Sequence, residues 1–186
     1  MTELTGALVV LRPFRPDELE ALVAVRKREP AFMGDGSRTP EEALRRRIAT
    51  SGTATRHEIF FAIEADGRLV GEIQGRRSAE ALPPGVFELG IEVYDASDRG
   101  RGYASEAISL LSSHLFECEG AHRVQASTDL ENGPMRRVLE RLGFAFEGVL
   151  RGFMPTAAMP RDYAMYAITS SDRRERAGSG PGVVRP

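Results

Sequence analysis

The sequence predicts an α/β domain with a central mixed, mostly antiparallel sheet of six to seven strands flanked by about four helices. Three observations carry that expectation. Short apolar runs with strand character alternate with segments of helical spacing along the 186 residues. Asp66-Gly67 lies between two such runs and is the strongest short hairpin signal, so the first half pairs antiparallel. Residues 86–128 read strand, glycine-rich turn, helix, strand, which is a parallel crossover.

Leu8-Val9-Val10-Leu11 is a short apolar run before Pro13 and predicts the first strand. From Asp17 the spacing of Leu19, Leu22 and Val23 turns helical behind a Pro16-Asp17 start. Thr39-Pro40-Glu41-Glu42 opens a second helix, with a hydroxyl cap, proline at the first helical position and acids on the positive end of the dipole. Ala43, Leu44 and Ile48 form its apolar face, and it stops near Gly52. Ile59 to Ala65 and Leu69 to Gly75 are the two hairpin strands. Pro83-Pro84-Gly85 turns the chain into Val86 to Tyr94, where Phe87, Leu89, Ile91 and Val93 alternate with Glu88, Gly90 and Glu92.

A helix to Glu117 follows, with Ala107, Ile108, Leu111 and Leu115 on one side. Arg123 to Ala126 is a fifth strand, and Pro134 to Leu142 an amphipathic helix ended by Gly143. Phe144 to Leu150 and Tyr163 to Ile168 are the last strands. Residues 1–171 make one domain on this reading. From Asp172 the chain is charged and then Gly/Pro-rich, which predicts a disordered tail over 172–186.

Composition removes several classes of function. With 41% hydrophobic residues the chain can bury a core, so disorder throughout is excluded. No stretch approaches the ~20 uninterrupted apolar residues of a membrane span. The N-terminus lacks the cationic lead of a signal peptide, so the expected location is cytoplasmic. A net charge of -2 provides no field that would draw the chain onto nucleic acid. Cys118 is the single cysteine, which excludes an internal disulfide framework. His57, His114 and His122 fall at no metal-ligand spacing, so no metal is expected. Lys27 is the only lysine among 25 basic residues, an arginine bias that a GC-rich genome explains.

The chemistry concentrates at Arg99-Gly100-Arg101-Gly102-Tyr103-Ala104, which opens a helix directly after a strand. Glycines let successive amides curl into one concavity, and the helix dipole makes that concavity attractive to a pyrophosphate. The turn is neither a dinucleotide fingerprint nor a Walker loop, because G-x-G-x-x-G and G-K-[ST] are both absent.

Arg99-x-x-Gly102-x-Ala104 matches the R/Q-x-x-G-x-G/A signature of GNAT-superfamily acyltransferases, which hold acetyl-CoA by its pyrophosphate. The block from Asn132 to Leu142-Gly143-Phe144, followed by Glu147-Gly148 and Arg151, resembles the second block of the RimJ/RimL-type branch. Leu11-Arg12-Pro13 and Glu88-Leu89-Gly90 are similar to that branch as well, so the resemblance spans roughly residues 8–169.

The resemblance implies a GNAT fold and acetyl-CoA as the donor. The acceptor would be a primary amine, either a protein N-terminus or a small molecule, attacked directly in a ternary complex; a homodimer is left open. By the same resemblance Gly102, Tyr103, Ala104 and Ser105 supply pyrophosphate donors, and Arg99 and Arg101 add charge or remain solvated. Val93 offers its backbone amide to the oxyanion. Asn132 contacts the cofactor or simply caps the helix at Pro134. Glu88 is the favoured base. Glu92 shares its strand face, so that the two carboxylates would raise one another's pKa, and Glu72 lies in the adjacent strand.

One departure stands out. The branch carries a serine three residues after the asparagine as the thiolate's acid, and this chain has Met135, so Tyr163 or Tyr166 becomes the candidate acid. The cations at Arg28, Arg38, Arg45 to Arg47, Arg151 and Arg161 suit an acidic acceptor or a succinyl or other acyl donor. The missing serine leaves a non-catalytic acyl-CoA-binding protein as the alternative of another class.

Overall fold

The computed structural model describes residues 1–28, 41–77, 82–156 and 158–178. One sheet is built from β1 (Leu4–Thr5), β2 (Val10–Arg12), β3 (Glu58–Ala65), β4 (Arg68–Arg76), β5 (Val86–Val93), β6 (Arg123–Asp129), β7 (Ala145–Met154) and β8 (Arg161–Thr169). The helices are α1 (Leu19–Arg28), α2 (Glu41–Thr50), α3 (Tyr103–Cys118), α4 (Gly133–Leu142) and α5 (Ser170–Gly178). The spatial order is β1-β2-β3-β4-β5-β6-β8-β7, with β5–β6 parallel and the other neighbours antiparallel.

The sheet has eight strands rather than six or seven, and the described residues hold five α-helices rather than four. The added strand, β1, is two residues long and exists through its pairing of Leu4 with Leu11, which no local periodicity announces. The first predicted strand starts at Val10 instead of Leu8, because the amides of Ala7, Leu8 and Val9 donate to the Glu106 carboxylate of α3 at 2.9, 2.7 and 2.7 Å. Asp66 and Gly67 take φ values of 50° and 71°, the left-handed pair that a two-residue hairpin turn requires. Thr39 and Pro40, expected to start α2, lie outside the described residues.

The two faces of the sheet are filled differently. On one, Phe87 and Leu89 of β5 and Val124 of β6 pack against Ala107, Ile108, Leu111 and Leu115 of α3, all buried. On the other, Phe60 and Ala62 of β3 lie under Leu19 and Leu22 of α1 and Leu44 and Ile48 of α2. Alternating side chains along β5 therefore send the odd residues into the core and Glu88, Gly90 and Glu92 to the side of α1 and α2.

Residues from Ser170 to Gly178 form α5, so the expected disordered tail is corrected over that stretch; residues 179–186 lie outside the described part. Thr169 and Asp172 explain the helix. The Thr169 amide donates to Asp172 Oδ2 at 2.8 Å and the Asp172 amide to Thr169 Oγ1 at 3.3 Å, a reciprocal cap at T-x-x-D spacing. Arg173 bonds Glu117 at 3.1 Å and sits 4.9 Å from the Phe116 ring centroid, which ties α5 to α3. Arg176 packs on Gly143, whose φ of 92° and missing side chain both matter: a Cβ there would collide with the guanidinium.

Deleting residues 172–186 should therefore lower Tm by about 2–8 °C, from contacts worth about 0.5–1 kcal/mol each at about 2–4 °C per kcal/mol. Differential scanning calorimetry checks it; an unchanged Tm would mean that α5 contributes nothing.

Candidate active site

β5 and β6 pair only where Val86, Phe87 and Glu88 meet Arg123, Val124 and Gln125. Beyond that point the strands part, although β5 runs on to Val93 and β6 to Asp129. The gap opens into a cleft of about 780 Å³. The Tyr94 amide donates to the Val70 carbonyl of β4 at 3.0 Å. Alternation along an antiparallel edge then turns the amides of Leu89, Ile91 and Val93 away from β4 and toward the gap. The Val93 amide is thus one of three that face the gap.

The cleft floor carries the expected carboxylates, and each has a cation. Glu88 stands at the fork, accepting from Arg76 at 2.6 Å and from the Gln125 amide at 3.4 Å. Glu92 accepts from Arg26 of α1 at 2.9 Å, and Arg26 also holds Glu72, directly opposite Glu92 in the sheet. Pairing with arginines replaces the expected mutual repulsion of Glu88 and Glu92. Gly90 keeps the floor open between them, since a Cβ there would meet Gln74 Nε2 at 2.7 Å.

Glu72 is 5% exposed and accepts from the Tyr94 hydroxyl at 2.8 Å. Burial, and then the Glu72 charge, push the Tyr94 phenol well above its ordinary value. A raised folded pKa gives stability that is complete below the unfolded value of about 10 and is lost as pH rises past it. Unfolding free energy should hold level up to that pH and then fall, and Tyr94→Phe should reduce the slope of the alkaline limb. Urea titrations at several pH values check it; an identical slope in Tyr94→Phe contradicts it.

The glycine-rich turn has the conformation its sequence requires. Gly100 and Gly102 take φ values of 77° and 90°, in the left-handed region, and Gly102 is the N-cap of α3. The first bond of the α3 ladder runs from the Glu106 amide to the Gly102 carbonyl at 3.0 Å, so the amides of Tyr103, Ala104 and Ser105 precede the ladder and face outward from its end. Arg99 and Arg101 flank the turn and are exposed. The Tyr103 side chain is buried and its hydroxyl reaches Asp66 at 3.4 Å, so only its backbone can serve a ligand. These residues fit a pyrophosphate: amides ahead of the helix ladder, a helix end and two exposed arginines beside it.

Asn132 caps α4, accepting from the Met135 amide at 3.2 Å, and it also lines the cleft. Met135 lines the cleft too. Tyr163 lines it beside Asp129, and burial, followed by that charge, raises its phenol above the ordinary value. Tyr166 is corrected as a candidate acid: it is fully buried, donates to Glu140 at 2.7 Å and accepts from Arg136 at 3.1 Å, on the α4 side of the sheet.

The arginines expected to attract an acidic acceptor are largely committed. Arg45 and Arg46 pair with Glu41 and Glu42, Arg47 with Glu58, and Arg161 with Asp129 and Glu131. Arg151 is exposed on β7, Arg38 lies outside the described residues, and Arg28 ends α1. Sequence reading missed Arg26, which joins two carboxylates from neighbouring strands, and Phe153, which lines the cleft mouth. Arg26 lies on α1, and only the sheet register brings Glu72 and Glu92 together beneath it.

Comparison with known proteins agrees with this geometry. Residues 9–145, more than half of the chain, match the model of the acetyltransferase (GNAT) domain. The uncharacterized N-acetyltransferase YoaA of Bacillus subtilis (strain 168) is 37% identical over 81 residues, covering 44% of this chain and 45% of YoaA, so the match spans about half of that relative's length. The SPbeta prophage-derived uncharacterized N-acetyltransferase YokL of the same strain is 25% identical over 177 residues, covering 92% of this chain and 96% of YokL. The structure of Mycobacterium smegmatis RimJ in complex with CoA-disulfide superposes with a TM-score of 0.73 at 25% identity, covering 95% of this chain and 93% of that one. Among the described residues no helix is long and apolar enough to cross a membrane, and none of their His, Cys, Asp and Glu side chains gather as a metal site. The parted strands, the left-handed glycine turn at the head of α3 and the family match converge: the chain belongs to the GNAT acetyltransferase family.

Proposed function

We propose that this protein transfers an acetyl group from acetyl-CoA to a primary amine by direct attack in a ternary complex, as a member of the RimJ/RimL-type branch. The observation that carries the proposal is the opening of β5 from β6 beside the glycine turn, which sets free amides against a floor of carboxylates. The RimJ structure, a complex with CoA-disulfide, supports the donor, and the Asn132 to Arg151 block supports the branch.

Acetyl-CoA supplies an activated thioester carbonyl. The chain's residues do the remainder. The amides of Gly102 to Ser105, with Arg99 and Arg101, hold the pyrophosphate. Asn132 lines the path along the cleft. Glu88 takes the proton from an amine that, with a pKa near 10, is mostly cationic at neutral pH. The nitrogen then bonds to the acetyl carbon and the carbon–sulfur bond breaks. The Val93 amide steadies the developing oxyanion. On this reading Tyr163, which lines the cleft and is protonated at neutral pH, returns a proton to the departing thiolate.

A thiol-release assay with acetyl-CoA and a panel of amines tests the proposal. Amine-dependent release of CoA thiol supports it. Bound acetyl-CoA with no amine-dependent release would make the protein a binder, and faster release from succinyl-CoA would change the donor.

A further inference from the structure

The cleft has a second chemistry at its mouth. Four of its lining side chains are carboxylates (Glu72, Glu88, Glu92 and Asp129) against the guanidiniums of Arg26 and Arg76 and of Arg161, which pairs with Asp129, so the carboxylates still outnumber the cations and the floor favours a cation over an acid. From this floor the cleft extends across β6 to β8 and β7. There Tyr163 and Phe153 form a ring pair, with centroids 5.5 Å apart and planes tilted by 48°. Phe153 remains 46% exposed, and Leu82 and Met154 line the same cavity. A half-exposed aromatic ring at a cavity mouth is a surface that gains by being covered, and its tilted partner holds it in place to receive a flat or branched group.

Resting on the acetyl-transfer reading, we infer that the acceptor is an amine bearing an aromatic or bulky alkyl group close to its nitrogen. The carboxylates take the ammonium and the Phe153–Tyr163 pair takes the apolar group. A polyamine satisfies the carboxylates but leaves Phe153 in water. A small acidic amine meets repulsion on the floor and gains nothing at the mouth. The apolar group could belong to a small arylalkylamine or to the first residue of a protein N-terminus, since both present the same chemistry.

The test uses binding as its readout. The chain contains no tryptophan, so indole emission belongs to the ligand alone. Tryptamine titrated with the CoA-saturated protein should show a saturable blue shift and a rise in anisotropy. The dissociation constant should increase about tenfold in Phe153→Ala, equivalent to about 1.4 kcal/mol, and by less in Phe153→Leu. 2-Phenylethylamine should displace tryptamine, whereas spermidine at equal concentration should not. A phenylalanine-initiated tetrapeptide run beside 2-phenylethylamine identifies the source of the group: the stronger competitor names it, and either result supports the inference. No indole shift, full displacement by spermidine, or equal binding by Phe153→Ala would each overturn it. Failure here is separate from failure of acetyl transfer. Acetylation of spermidine alone would leave the transferase reading intact and remove this one, and tight tryptamine binding without any transfer would do the reverse.

Discussion

Glu88→Gln should lower kcat/KM near neutral pH by about 10²–10⁴, the usual cost of losing a general base. The substitution keeps the side chain's length and shape at the fork of β5 and β6, where Arg76 and Gln125 hold the carboxylate from two sides. It removes the ability to take a proton and, with the charge, the ion pair to Arg76. The defect should shrink as pH rises toward the pKa of the amine, because a growing share of the acceptor arrives already deprotonated. Acetyl-CoA affinity should hardly change, since the proposed pyrophosphate site is the turn after β5 and not this side chain. Steady-state kinetics across pH separates three outcomes. A large, pH-sensitive loss assigns the base. A rise in the acceptor's KM alone makes Glu88 the group that binds the ammonium. No loss in Glu88→Gln with inactivity in Glu92→Gln moves the base to Glu92, beside Arg26.

Gly102→Glu should abolish acetyl-CoA binding, for three reasons that add. The φ of 90° is a backbone conformation that L side chains rarely adopt. A Cβ at that position would meet Leu8 Cδ1 at 3.1 Å, close enough that Leu8 must give way. The new carboxylate would then stand at the helix end where an anion is meant to bind. In the native protein, acetyl-CoA at a hundred times its Kd should add about 2.7 kcal/mol of stability, visible as a higher Tm. Gly102→Glu should lose that increment entirely. Gly102→Ala, which adds backbone strain without charge, should retain part of it. A full ligand-dependent Tm shift in Gly102→Glu would remove the turn from the cofactor site.

The parts of the fold legible in the sequence are those specified by neighbours along the chain. Asp66-Gly67 sets its hairpin by its own backbone preference, and the glycines at 100 and 102 announce a left-handed turn wherever they occur. The crossover from β5 through α3 to β6 follows from periods of two and 3.6 in adjoining segments. What escaped depends on distant partners. β1 needs Leu11, and the start of β2 is set by a carboxylate from α3. The charge state of the site is the clearest case. Read singly, the arginines suited an acidic acceptor or reflected the arginine bias of the chain, but Arg47 and Arg161 are drawn to Glu58 and Asp129 once the sheet assembles. α5 differs, because its cap is local: Thr169-x-x-Asp172 stands directly before a charged run that has no apolar periodicity of its own.

Mass spectrometry of the amine after incubation with acetyl-CoA and the purified protein measures the proposed transfer most directly. The predicted result is one acetyl group on the amine nitrogen and one equivalent of CoA thiol released, with Glu88→Gln slow and Gly102→Glu inactive. An unmodified amine beside intact acetyl-CoA, or beside free acetate and CoA, would contradict it.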